Sequence, residues 1–171
     1  TLDGISKHTP IVIMDLPPNF LKKMLQGKGF TNVFSLQPGK IHKIKNFNDF
    51  GFEVFGAGGD HIAANIIDSG VIMSIEDKVI INFNDNHPTK EQCKEFKAKY
   101  SSIDLAFIPD GGGSGYPAMY QNLSLQQKKE IFKEAMNRFN SDFTEAVNLL
   151  EPISAIPVAG GFAIRGDHPK E

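Results

Sequence analysis

The sequence predicts a layered α/β domain, with helices packed on a mixed sheet. Three observations carry that expectation. The first half consists mainly of short apolar or alternating runs bounded by Gly, Pro, Asn and Asp, with one helical segment among them. The second half alternates helical periods with strand-like runs. One of those runs, Leu105-Ala106-Phe107-Ile108, has no polar alternation, the pattern of a strand covered on both faces.

Taken in order, Ile11 to Met14 is a short buried strand stopped by Pro17-Pro18. Asn19 to Gln26 follows as a helix, with Phe20, Leu21, Met24 and Leu25 at helical spacing and Gly27 and Gly29 at its end. A strand over 32–36 reaches a Pro38-Gly39 turn, and alternating stretches follow over 40–45 and 50–55. Gly70 to Ile75 and Lys78 to Phe83 form a hairpin around Glu76-Asp77. Thr89, with Gln92 three residues on, caps a helix from Glu91 to Tyr100. Asp104 to Pro109 is the continuous apolar strand. Ser124 then opens a long helix whose apolar residues, from Leu125 to Leu150, step by three and four until Pro152 stops it. Ile153 to Ala159 is the last strand.

The chain has 171 residues, which suits a single domain over 1–171. At 40 % hydrophobic and 22 % charged it has an ordinary globular composition. A net charge of -2 and the lack of any basic block give no basis for binding nucleic acid or an anionic membrane. No apolar run approaches the ~20 residues of a membrane span. The single cysteine, Cys93, excludes an internal disulfide framework and fits a reducing cytoplasm. Inside a helical pattern and without a second cysteine, it is expected to be a buried or half-buried thiol rather than a nucleophile.

Loops beyond strand ends are where α/β folds place their chemistry, so three stretches stand out. "INFNDNHPT" ends a strand on Asn84, Asp85, Asn86 and His87. Asp85 there is placed to hold a cation, or the turn is only an Asn/Asp-rich exit in which Asn86 or Thr89 caps the next helix. His87, before Pro88, is expected to be a solvated turn residue. "GAGGDHIAANIIDSG" sets Asp60 and His61 after glycines, either as metal ligands on a loop or as a hairpin connection. "DGGGSGYPAMY" has enough glycine to present backbone N–H groups to an anion, though neither a P-loop nor a nucleophile elbow around Ser114 is present. Tyr116 and Tyr120 could stack on a ring, but aromatics before a long helix are expected to pack into the core.

These segments, in their order, resemble the metallo-β-lactamase fold over residues 1 to 164. The resemblance rests on "GFTNVFSLQPGK", "DSGVIMSIEDKVIINFND", "IDLAFIPDGGGSGYP" and "ISAIPVAGGF". It is nearest to the subgroup holding the ascorbate-6-phosphate lactonase-like proteins and the lactamase-like domain of CMP-N-acetylneuraminate hydroxylase. Asn84-Asp85 matches that subgroup's N-D signature, Gly113 to Pro117 its Gly-rich loop, and Pro157 to Gly160 the P-x-A-G of the hydroxylase-like branch.

The resemblance implies an αββα sandwich of which this chain is the later part, because the H-x-H-x-D-H cluster that supplies most first-metal ligands does not occur in it. A degenerate member without the motif is the rival. Asp85 then matches a bridging or second-site carboxylate, and His61, with Asp60 beside it, a loop ligand. The final family histidine has no match, since Gly160-Gly161 takes its place. A zinc or iron ion is the implied cofactor, and an anionic small molecule the implied substrate, met by Gly112, Gly113, Ser114 and Tyr116.

The resemblance therefore implies a cytoplasmic metal-dependent hydrolase acting on a phosphorylated or nucleotide-linked sugar-like compound. Two alternatives stay open: a hydroxylase-like iron oxygenase domain, and a metal-free binding or scaffold module of the same fold. A later part of the fold should also leave an apolar face exposed, to be covered by a second chain such as a homo-oligomeric partner.

Overall fold

The computed structural model describes residues 2–15, 18–43, 50–56, 69–111 and 116–160. Asp60 and His61, and with them Gly112, Gly113 and Ser114, lie outside the described residues. The chain divides into two compact units, Thr1–Asp77 and Lys78–Glu171.

The first unit begins with a short 3-10 turn at Leu2–Gly4, followed by β1 (Ile11–Met14), α1 (Phe20–Gly27) and β2 (Val33–Leu36). β1 and β2 pair in parallel, Ile11 opposite Val33 and Met14 opposite Leu36. α1 starts at Asn19, whose side chain accepts the Lys22 N–H at 3.4 Å and donates to Asp15 Oδ1 at 2.7 Å. It ends where Gly29 takes a φ of +88°, a left-handed bend that glycine allows without strain. Ile13, Leu25 and Phe30 form the core of this β-α-β unit.

Beyond it, β3 (His42–Lys43), β4 (Phe50–Gly56) and β5 (Ser69–Ile75) form an antiparallel run, Phe50 opposite Ile75 and Gly56 opposite Ser69. Met14, Leu36 and Val54 form a second small core that joins the two groups of strands. Several apolar side chains of this unit lie at the surface. Phe20 is 64 % exposed and Phe34 52 %, with Val12, Leu21 and Met24 also at the surface.

The second unit is a run of parallel β-α-β turns: β6 (Lys78–Asn82), α2 (Lys90–Lys99), β7 (Leu105–Pro109), α3 (Leu125–Leu150) and β8 (Ser154–Val158). Ile80 lies opposite Leu105 and Asn82 opposite Phe107; Leu105 lies opposite Ser154 and Pro109 opposite Val158. Ala106, Ile108 and Pro109 of β7 are buried while Leu105 and Phe107 are half-buried, so the run without polar alternation has one closed face and one partly covered face.

Both long helices start on capping boxes. Thr89 and Ser124 each accept the backbone N–H of the third helical residue, and the Gln92 and Gln127 side chains bond back to the caps. Phe83, Cys93, Phe96, Ile103, Ala146 and Leu150 fill the space between sheet and helices, each at most 4 % exposed. Burying one such large side chain contributes about 1.5–3 kcal/mol. α3 buries only Ala146 and Leu150 fully; Leu125 and Phe132, nearer its start, stay exposed although the apolar step runs through them.

The starts of β6 and β7 are pinned by one side chain. Asp104 accepts the Val79 N–H at 2.9 Å and the Lys78 ammonium at 3.1 Å, and these bonds hold its carboxyl below the usual carboxylate range.

Candidate functional site at the strand ends

β6, β7 and β8 run parallel, so their C-terminal ends open on one side, where such sheets bind ligands. The exit from β6 is the NDNH turn. Asn84 adopts a φ of +61°, and its N–H donates to Asn82 Oδ1 at 2.9 Å. The Asn86 backbone N–H and its buried side-chain amide both donate to the Phe83 carbonyl, at 3.1 and 3.2 Å. Thr89, not Asn86, is the helix cap. Asp85 sits at the tip of this turn, exposed.

His87 departs from the sequence expectation. It is half-buried, its Nε2 lies 3.0 Å from the Gly111 carbonyl oxygen, and its ring stacks on Phe139 of α3 at 5.4 Å and 16°. The bond requires the proton on Nε2, since a carbonyl only accepts. A residue expected to be solvated thus ties the exit of β6 to that of β7. The stacking partner lies far along the chain, which is why no local pattern announced it.

The exit of β7 carries a residue that the sequence patterns do not single out. Asp110 follows the strand directly, and its N–H donates to the Val158 carbonyl at 2.9 Å. Its Oδ1 is buried and has no hydrogen-bond partner among the described residues; the other such atom is His42 Nε2, on β3 of the first unit. Asp85 and Asp110 each stand three positions past the paired residues Asn82 and Phe107, at the same end of adjacent strands. The available signal was an acidic residue directly after the apolar run Leu105–Pro109.

At the end of β8 a Cβ on Gly160 would lie 2.7 Å from the Asp110 carbonyl oxygen, so only glycine fits. Ala159 before it has a φ of +52°, a strained value for alanine, and such strain gathers at functional sites. Two residues of the P-x-A-G stretch therefore hold the end of β8 close against Asp110.

Tyr116 and Tyr120 follow the glycine-rich loop. Their rings meet edge to face at 4.8 Å, and they are 48 % and 50 % exposed. They do not pack into the core as expected, because the first turns of the helix they precede stay at the surface. Cys93 agrees with its expected role as a buried thiol, its pKa pushed up to about 11 by burial first and by Glu145 and Glu91 second.

Among the described residues no group of three or more His, Cys, Asp and Glu side chains could hold a metal ion. The described mouth supplies two carboxylates, hard oxygen donors of the kind that hold divalent cations, and one of them has an oxygen without a partner. That donor set fits part of a cation site and does not complete it. No helix among the described residues is long and apolar enough to cross a membrane.

Comparison with solved structures adds the fold. A mutant of the CmlA β-hydroxylase matches with a TM-score of 0.55 at 14 % identity, over 85 % of this chain and 30 % of that one. CmlA, a diiron β-hydroxylase from Streptomyces venezuelae, matches with a TM-score of 0.53 at 12 % identity over the same shares. The chain thus spans about 30 % of the length of these structures. No family model matches the sequence, and neither does any curated protein. The mixed α/β architecture is metallo-β-lactamase-like, as the sequence resemblance implied.

Proposed function

We propose that this chain belongs to a divalent-metal enzyme whose site lies at the C-terminal ends of β6, β7 and β8 and takes an anionic small molecule. The observation that carries the proposal is that Asp85 and Asp110 follow the C-terminal ends of the adjacent parallel strands β6 and β7. Asp85 would hold the ion, with His61 and Asp60 as further ligands. Gly112, Gly113 and Ser114 would offer backbone N–H groups to the anionic group, with the exposed Tyr116 against the rest of the substrate. His87 would keep the glycine-rich loop in place through Gly111. The stretch 1–171 works as one domain in this proposal, in a cytoplasm whose reducing state suits Cys93.

A bound divalent ion supplies Lewis acidity and an acidified water, which suits hydrolysis of a phosphorylated or nucleotide-linked sugar-like substrate. An iron-dependent oxygenase is the second proposal, and the likeness to a diiron β-hydroxylase favours it. That likeness extends to fold and not to chemistry.

Asp85→Asn tests the site, because Asn serves a turn as well as Asp and removes only the charge. In the full-length gene product we expect bound metal to drop and activity to fall more than about a hundredfold, with the thermal melt nearly kept. Zinc in the native protein supports the hydrolase and iron the oxygenase. Equal metal in wild type and variant returns Asp85 to a turn role, and a wild type that binds no metal leaves a binding module.

A further inference from the structure

We propose that the outward side of α1, with the groove beside it, docks an acidic segment of a partner protein that also carries apolar side chains. This surface belongs to the first unit alone, and no metal enters its test.

α1 buries Leu25 and leaves the other apolar residues of its sequence at the surface. Phe20 is 64 % exposed, Met24 47 % and Leu21 43 %. Phe20 and Met24 are four residues apart, and Leu21 and Met24 three, so the three side chains are neighbours on the helix. Phe20 and Leu21 also line a groove that Val12 and Ile13 of β1 line with them. Apolar patches on one helix beside a groove mark sites where another molecule is recognised. A lipid surface has no side chain to place in such a hollow, whereas a peptide segment does.

The surrounding charge sets the chemistry of that segment. Between Asp15 and Asp49 the sequence holds six lysines and no acidic residue. They are spread along the stretch, so they form no basic block. Lys23 follows Phe20 by three positions and Lys28 follows Met24 by four, its N–H still donating to the Met24 carbonyl at 3.0 Å. Each cation therefore borders the apolar ridge. Both are exposed, and among the described residues neither has an acidic partner. An acidic segment is attracted at both positions. A basic segment is repelled, and so is a second copy of this chain presenting the same face.

The test is fluorescence anisotropy of a dye-labelled peptide of alternating Glu and Leu, titrated with the full-length protein. The same peptide with Lys in place of Glu is the control. We expect the acidic peptide to bind more than about tenfold more tightly than the basic one, and to weaken as salt screens the lysines. Lys23→Glu combined with Lys28→Glu should remove that preference. Met24→Ser should weaken the acidic peptide while its salt dependence stays. All three side chains are exposed, so the melts should stay near wild type. If Met24→Ser does not fold, the lysine pair decides alone.

Equal affinity for the two peptides overturns the proposal, as does wild-type affinity in the lysine variant. Sedimentation equilibrium and phosphatidylserine vesicles cover the other occupants. Self-association that Met24→Ser abolishes, with no peptide bound, assigns the face to a second copy and overturns the proposal. Vesicle binding that the lysine variant abolishes, again with no peptide bound, assigns it to a membrane and overturns it equally.

Discussion

His87 allows a quantitative test of how the strand exits are held together. Its Nε2–H bond to the Gly111 carbonyl and its stacking on Phe139 can be removed separately. His87→Phe retains a flat ring over Phe139 and deletes the donor. Gly111 is buried, so its carbonyl is left without that partner, at a cost of about 1–3 kcal/mol. His87→Ala deletes the stacking as well, which adds about 0.5–1.5 kcal/mol. For a domain of this size each kcal/mol lowers the Tm by about 2–4 °C. Thermal and urea melts of the three proteins should therefore order as wild type, His87→Phe, His87→Ala, with the same m-value throughout. If His87→Phe melts with the wild type, the bond to Gly111 does not operate. If His87→Ala falls within about 0.5 kcal/mol of wild type, as surface changes do, His87 is the solvated turn residue that the sequence suggested.

Two further predictions concern titratable groups. Asp104 has a lowered folded-state pKa, so its contribution to stability is present above the unfolded carboxylate pKa and disappears as pH falls through the folded one. Asp104→Asn should lower the Tm at neutral pH and match wild type in strong acid; a difference that persists in acid would refute the ionic part of that bond set. Cys93, buried and with its pKa raised to about 11, should resist a thiol reagent in the native protein at mildly alkaline pH. It should react in step with unfolding in urea, and rapid native labelling would show that the packing of α2 against α3 does not cover it.

What the sequence disclosed was local. Apolar runs located β1, β7 and β8, and the Thr89–Gln92 box located the start of α2, because each pattern is complete within a few residues. What it hid depended on distant partners. The role of His87 needs Phe139 and Gly111, and the confinement of Asp110 needs Val158 and Gly160. Tyr116 and Tyr120 were misjudged for the related reason that apolar periodicity in α3 does not say where along the helix coverage ends. Asp85 was legible as a candidate because a strand exit shows in the chain, whereas Asp110 was masked by the glycines after it.

The proline in β8 bears on how this molecule meets others. Ser154 donates to Asp104, and Val158 accepts from Asp110, so even-numbered residues of β8 turn their backbone groups to β7. Pro157 therefore turns outward, on the strand that closes this end of the sheet among the described residues. Exposed strand borders invite foreign strands to pair and seed fibrils or swapped assemblies. Ile153 and Ile156, both exposed, would add an apolar incentive. An arriving strand would find the row of donors broken at Pro157, where no N–H exists. Replacing Pro157 with valine would restore that donor and convert a guarded border into an adhesive one.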